Sequence, residues 1–240
     1  MTPHVTPPSL PDPAVRAWHA LFDFAAQQPT GWTVVGGQMA HLHAWERNTI
    51  GPRPTVDIDT GLAYRTAPRI GVDATATLRH LGFTSTVTSV GGPAVRWVRG
   101  DVEIDVLVPS NRGRPTHDVH GQRLLESHGI QQALDRSEPI TLTVGGRTGV
   151  ITRPRLYAAV IAKAAALRNV GDSRQDRHLD DLVILLGFLT DADIAREQPS
   201  KRDFQHLDLA HGKLVGDLTS PRNTPAVNDA FGILADHSPR

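Results

Sequence analysis

The sequence predicts an α+β protein, with a front portion whose mixed β-sheet is flanked by helices and a helical portion behind it. Three observations carry this reading. Thr55–Leu62 and Asp101–Val108 each alternate apolar and polar residues with a period of two, as strands with one buried face do. Glycine pairs, Gly36-Gly37 and Gly145-Gly146, punctuate apolar runs. After Pro154 the chain turns alanine-rich, and Leu156, Val160, Lys163 and Leu167 recur at helical spacing.

In chain order, residues 1–12 are rich in proline and read as a flexible arm. Residues 13–152 read as the α/β domain and residues 153–240 as a C-terminal helical domain. Asp12-Pro13 resembles a helix start, and Ala14–Gln28 follows with Trp18, Leu21, Phe22 and Ala25 on one stripe. Trp32–Val35 reads as a strand entering Gly36-Gly37, and Gln38–Arg47 as a helix broken by Arg53-Pro54. In Thr55–Leu62, Val56 and Ile58 are expected on one face, Asp57 and Asp59 on the other. A helix is expected over Asp73–Leu81, then strands over Thr84–Val90, Ala94–Val98 and Asp101–Val108. Residues 110–121 read as a polar loop, and Ile140–Thr152 as a hairpin turning at Gly145-Gly146. Helices are then expected over Arg155–Asn169, Asp176–Leu189, Asp203–Leu218 and Ala226–His237.

Composition narrows the class. A hydrophobic fraction of 39% and a charged fraction of 21% suit a soluble globular protein, and zero formal net charge argues against capture of nucleic acid by the whole molecule's field. The absence of cysteine excludes disulfides and thiolate metal sites and suits the cytoplasm. No apolar run reaches the roughly 18 residues of a membrane span, and the N-terminus lacks a signal peptide's basic and apolar regions, so no membrane partner is expected.

The chemistry-bearing residues are acidic and sit on strands. Asp57 and Asp59 leave one face of one strand, and Asp105 leaves a later strand whose other face is apolar. If the two strands are neighbours, three carboxylates converge, which is costly unless cations neutralise them. Magnesium with a bound triphosphate is one such cation, since one or two carboxylates and phosphate oxygens complete its shell. A third carboxylate is placed to take a proton from an attacking hydroxyl. Gly36-Gly37 before a helix offers backbone N–H groups to phosphate. Taken alone, each feature has a bland reading: a solvated strand face or a tight turn.

Lys163 lies on an apolar stripe, where a lysine is rarely buried unless paired. Beside a carboxylate cluster it would bind phosphate as a point charge and stabilise departing pyrophosphate; isolated, it would snorkel to solvent. Asp176, Asp180 and Asp181 form an acidic patch further on, and Arg96, Arg99, Arg112, Arg114 and His117 are candidates for nucleic-acid phosphate contact.

The stretches V-V-G-G-Q-M-A-H-L-H and R-P-T-V-D-I-D-T resemble the first motif of the AbiEii/AbiGii toxin nucleotidyltransferases, carried here by Gly36, Gly37, Arg53, Thr55, Asp57 and Asp59. Lys163, Ala166 and Arg168 are similar to that family's K-x-x-A-x-x-R helix, and Arg177, His178, Asp181 and Leu182 to its closing helix. The resemblance covers roughly residues 30 to 190 in the right order. It implies a DNA polymerase β-like nucleotidyltransferase fold in which Asp57 and Asp59 bind Mg²⁺ (or Mn²⁺) with a nucleoside triphosphate and Lys163 assists on phosphate. Gly36, Gly37, Arg53 and Thr55 would then belong to the nucleotide site, Asp105 would be a third metal carboxylate, and Asp181, with Asp180 and Asp176 as the alternatives, the catalytic acidic residue of the closing helix. It also implies a toxin of the MenT kind, adding nucleotides to the 3′ end of tRNA under the restraint of an antitoxin. Two departures stand out: a second glycine where many relatives of the fold have serine, and His178 where some members have aspartate. Transfer to a small-molecule hydroxyl of the antibiotic type, and a degenerate non-catalytic binding module, are the alternatives.

Overall fold

The computed structural model describes residues 2–51, 55–87, 94–110, 116–169, 175–216 and 219–239. The front portion runs β1 (His4–Val5), α1 (Asp12–Gln27), β2 (Trp32–Val35), α2 (Gly36–Glu46), β3 (Ile58–Leu62), α3 (Ile70–His80), β4 (Thr84–Val87), β5 (Ala94–Arg99), β6 (Val102–Pro109), β7 (Leu125–Ser127), α4 (Ile130–Asp135), β8 (Ser137–Val144) and β9 (Arg147–Pro154). Helices α5 (Leu156–Ala166), α6 (Gln175–Phe188), α7 (Asp191–Ala195), α8 (Lys201–Leu214) and α9 (Pro225–Asp236) follow.

The main sheet is mixed, as expected. Its strands lie in the order β2-β3-β6-β5-β4, with β7 added beside β6. β3 and β7 run parallel to β6, while β2 opposes β3 and β5 opposes both β4 and β6. Strand alternation divides the molecule into two cores. Val102, Ile104, Val106 and Val108 of β6 point to one side, where they join Trp18, Leu21 and Phe24 of α1 and Leu78 of α3. The other side of the sheet faces the second core, built from the back helices. Val35, Met39, Ala40, Ile130 and Ala133 of the front portion belong to that second core, so the back helices share their core with β2, α2 and α4.

β8 and β9 form the expected hairpin, and Gly145 and Gly146 turn it with φ of 53° and 78°, the left-handed pair that matches strand twist. Four differences from the sequence reading have physical causes. The Pro-rich arm is docked at His4–Val5, which pairs parallel to β8 at an edge otherwise rich in unmet backbone groups, and Val5 is buried. β3 begins only at Ile58, because its partner β2 ends with Val35 opposite Asp59, and Val56 is exposed at 44% instead of facing inward. α2 begins at the glycines themselves, with Val35 as its extended cap residue, and α3 begins at Ile70. β7, α4 and α7 are too short to carry a readable period. The arginines Arg53, Arg112 and Arg114 lie outside the described residues.

Candidate active site

Strand register sets the acidic wall. Asp59 of β3 is the direct partner of Asp105 on β6, and Asp105 is in turn the direct partner of Arg96 on β5. Val35, the last residue of β2, is the partner of Asp59 on the other side. Val35, Asp59, Asp105 and Arg96 therefore form one row across four strands. Asp57 precedes the start of β3, two residues before Asp59, and lines the same cleft.

Gly36 fits this row for two reasons. Its φ of +67° is a conformation that side chains disfavour, and a Cβ there would lie 2.8 Å from Asp59 Cβ and nearer still to its carboxylate. The Asp59 side chain thus rests against the first residue of α2. Gln38, nearly fully buried, donates from Nε2 to the Thr55 carbonyl at 3.0 Å and ties the segment carrying Asp57 to the first turn of α2. Thr60 donates to the Asp105 carbonyl at 3.0 Å and locks β3 to β6 beneath the acids.

Asp57, Asp59, Asp105, Gly36, Gly37 and Thr55 all line one cleft of about 620 Å³, a size that accommodates a small-molecule ligand. Lys163 of α5 lines the same cleft, with Arg168, Asn169, Arg177 and His178 beyond it. Leu107, Leu125, Ile130, Ala162 and Ala166 supply apolar lining. The cleft thus has an acidic strand wall and a basic helical wall, with the N-terminus of α2 beside the acids. Arg168 and Arg177 are exposed at its edge, and Arg168 is steadied by donating to the Gln205 carbonyl at 2.9 Å.

Lys163 does not snorkel. Its ammonium pairs with the carboxylate of Asp181 on α6, and both side chains are almost wholly buried. An ammonium carries three N–H donors, so this pairing does not exhaust it. Of the three acids on α6, Asp181 is the one that meets Lys163. Asp176 and Asp180 bind Arg222, at 3.0 and 2.8 Å, and none of the three lines the cleft. Asp181 therefore reaches the site through Lys163.

Arg96 and Arg99 both make contacts within the protein. Arg96 donates from Nε to Asp105 Oδ1 at 2.9 Å and from Nη2 to Asp105 Oδ2 at 3.0 Å. Its Nη1 lies 2.6 Å from Glu103, and Nη2 lies 3.9 Å from Asp57. The hydrogen bonds to Asp105 hold its guanidinium pKa well above the ordinary value, reinforced by the charges of Asp105, Glu103 and Asp57 against the opposing effect of burial. Arg99 donates to the Leu81 carbonyl at 2.7 Å and stacks on Phe83. His117 is paired with Arg123 through the backbone alone, as an isolated antiparallel β-bridge.

Several cleft residues carry no sequence signal of their own. Asn169 accepts from the His128 backbone N–H at 3.1 Å and donates to Ser127 Oγ at 3.0 Å, fixing the end of β7 against α5. His128 lines the cleft, and its pKa is lowered by burial first and then by Arg168 and Arg202. These residues come together only through the β7–α5 contact, which no local pattern announces.

The donor chemistry at Asp57 and Asp59 fits a hard divalent cation, which takes carboxylate and phosphate oxygens. The Gly36 cradle holds Asp59 in place for it. Among the described residues, no three His, Cys, Asp or Glu side chains are gathered closely enough to hold one ion. Also among the described residues, no helix is long and apolar enough to cross a membrane.

No protein-family model matches the sequence, and no curated protein matches it. Among solved structures, the fold is similar to that of an antigenic nucleotidyltransferase-like protein from Paracoccidioides brasiliensis, with a TM-score of 0.53 at 14% identity over 94% of this chain and 95% of that one. It is also similar to the antibiotic-resistance factor ANT(2'')-Ia, with a TM-score of 0.46 at 14% identity over 83% of this chain and 97% of that one. The fold is nucleotidyltransferase-like.

Proposed function

We propose that the cleft transfers a nucleoside monophosphate from a nucleoside triphosphate to an acceptor hydroxyl and releases pyrophosphate. The observation that carries this reading is the opposition of Asp57 and Asp59 to the buried Lys163 across one cleft, at the N-terminus of α2. Asp57 and Asp59 would hold Mg²⁺ or Mn²⁺. The bound ion would supply neutralisation of the triphosphate charge. The backbone N–H groups at Gly36 and Gly37 would receive phosphate oxygens at a helix start. Lys163, steadied by Asp181, would stabilise the charge that grows on departing pyrophosphate. Catalysis of this kind is mostly positioning and charge compensation.

The acceptor we favour is the 3′ end of tRNA. Arg168 and Arg177 support it, as exposed cations at the cleft edge suited to an acceptor's phosphates. A role as a toxin held by an antitoxin rests on the motif resemblance alone. Offering the purified protein each α-labelled NTP with Mg²⁺ and total RNA tests the reading. Label in RNA of tRNA size is the expected outcome. Label confined to small-molecule hydroxyl acceptors would overturn the tRNA assignment, and NTP binding without transfer would overturn the enzyme.

A further inference from the structure

A second cavity, of about 440 Å³, is lined from α4 and from the turn between α7 and α8, and it shares no lining residue with the cleft. Five arginines reach it, Arg65, Arg136, Arg155, Arg196 and Arg202, against three carboxylates, Asp135, Glu197 and Asp203. Two of the arginines are engaged inside the protein. Arg136 donates to both oxygens of Asp203, at 3.3 and 2.8 Å, and Arg155 donates to both oxygens of Glu197. Asp135 accepts from Gln131 at 2.6 Å. Arg196 is 65% exposed and lies 3.9 Å from Glu138, beyond hydrogen-bond reach. Arg65 and Arg202 are exposed, and neither has a carboxylate partner among the described residues.

Arg202 joins this cavity to the cleft. It stands in the first turn of α8, three residues before Gln205, whose carbonyl accepts from Arg168 at 2.9 Å. Three residues of helix advance about 4.5 Å. Arg168, which lines the cleft, and Arg202, which lines the second cavity, therefore meet α8 less than one turn apart. The two charges also act on the same pair of imidazoles, His128 and His206. Glu126, the carboxylate two residues before His128 in the cleft lining, is paired with Arg123 at 3.1 Å. Arg168, Arg202, Arg196 and Arg65 thus continue as a train of cations from the cleft edge into the second cavity. Guanidinium forks in series suit a chain of phosphates, and gathered charge of one sign draws a polyanion to the surface that carries it. A small hydroxyl compound would not span two cavities. We propose that the phosphate backbone of an RNA acceptor runs from the cleft over the start of α8 into the second cavity, held by Arg168, Arg202 and Arg65. The inference rests on the reading of the acceptor as RNA given above. It adds that recognition extends well beyond the 3′ end and is blind to sequence there, since phosphate contacts position a strand without reading its bases.

The test is fluorescence anisotropy of labelled total tRNA and of a labelled triribonucleotide, without nucleoside triphosphate, over a series of salt concentrations. It is run on the full-length native protein and on Arg65→Gln, Arg202→Gln and Arg79→Gln. Both path arginines are exposed, so neither substitution strands a buried charge. Arg79 is exposed on α3, which packs into the first core, and its loss removes the same charge away from the path. Arg65→Gln and Arg202→Gln are each expected to weaken tRNA binding at least about fivefold at low salt, and to make log affinity against log salt shallower by just under one, the share of one phosphate contact. Triribonucleotide binding in these variants, and tRNA binding by Arg79→Gln, are expected to change less than about twofold. Unchanged tRNA affinity in either folded path variant, an equal loss in Arg79→Gln, or an equal loss for the triribonucleotide would each overturn the path while leaving the acceptor reading standing. No tRNA binding by the native chain would overturn both. The expected losses in a protein that transfers no nucleotide would support the path and overturn the enzyme.

Discussion

At the scale of single residues, the acids were legible and their neighbours were not. In the sequence a period of two puts Asp57 with Asp59, and Asp105 opposite an apolar face; in the structure β3 begins at Ile58, so alternation places Asp59 and Asp105 while Asp57 joins them from outside the strand. That β3 and β6 are neighbours, which turns the two patterns into one row, is a long-range fact that no local pattern states. Gly36 shows how much one residue can carry. Its positive φ alone costs a side chain roughly 1–2 kcal/mol, and a Cβ there would collide with the Asp59 carboxylate. Gly36→Ala is therefore expected to lower stability by about that amount in urea unfolding. It should also lower nucleotide transfer by at least 100-fold, in line with the cost of small misplacements. A variant with native transfer would show that Asp59 does not depend on this cradle. The pairing of Arg96 with Asp105 was illegible for a different reason: an arginine on a strand has the reach to serve solvent, phosphate or a cross-strand acid, and only register chooses.

At the scale of elements, α2 ties the acidic wall to the basic one. Its start carries Gly36 and holds Thr55 through Gln38. Its later turns are pinned to the end of β9, where His43 Nε2 donates to the Pro154 carbonyl at 3.0 Å and Arg153 binds the Leu42 carbonyl at 3.1 Å and Glu46 at 2.6 Å. α5 follows directly and presents Lys163. The buried pair of Lys163 with Asp181 joins α5 to α6, and it separates stability from function. Asp181→Ala leaves a buried ammonium uncompensated and is expected to cost roughly 3–5 kcal/mol. The double variant Lys163→Met with Asp181→Leu, apolar on both sides, is expected to recover most of that stability while remaining inactive. Urea unfolding and NTP transfer measured together check this, and a double variant no more stable than Asp181→Ala would contradict it. The helix of Lys163 was readable from its stripe. Its partner was not, because Asp176, Asp180 and Asp181 look alike until α6 is rotated into place.

At the scale of the molecule, the sheet has a core on each side and the cleft opens on the side of the second, whose Val35, Met39, Ile130 and Ala162 line it. The division at residue 152 follows a true change in composition, yet Val35, Met39 and Ile130 cross it to fill the second core. Composition reports which elements form, and the sharing of a core between them depends on packing that has no period. Buried histidines give the whole fold a dependence on pH. Burial pushes His206 down to about 4, helped by the charges of Arg168 and Arg202, and His43 is lowered in the same direction by burial and then by Arg153 and Arg47. An unfolded histidine takes up its proton near pH 6.5, whereas folded His206 resists until about 4. Stability is therefore full above about pH 6.5 and is lost as the pH falls towards 4. Unfolding midpoints measured across that range should fall, and His206→Leu should flatten part of the fall, with His43 retaining the rest. A slope unchanged in His206→Leu would contradict the assignment.

The proposed reaction cleaves a nucleoside triphosphate between its α and β phosphates and keeps the α phosphate on an acceptor. It is tested most directly by running α-labelled and γ-labelled NTP in parallel, with Mg²⁺ and total RNA, on the native protein and on a folded Asp59→Asn variant. The expected result is α label in RNA and γ label in pyrophosphate from the native protein, and neither from Asp59→Asn. Release of γ label as inorganic phosphate, or equal transfer by the Asp59→Asn variant, would contradict it.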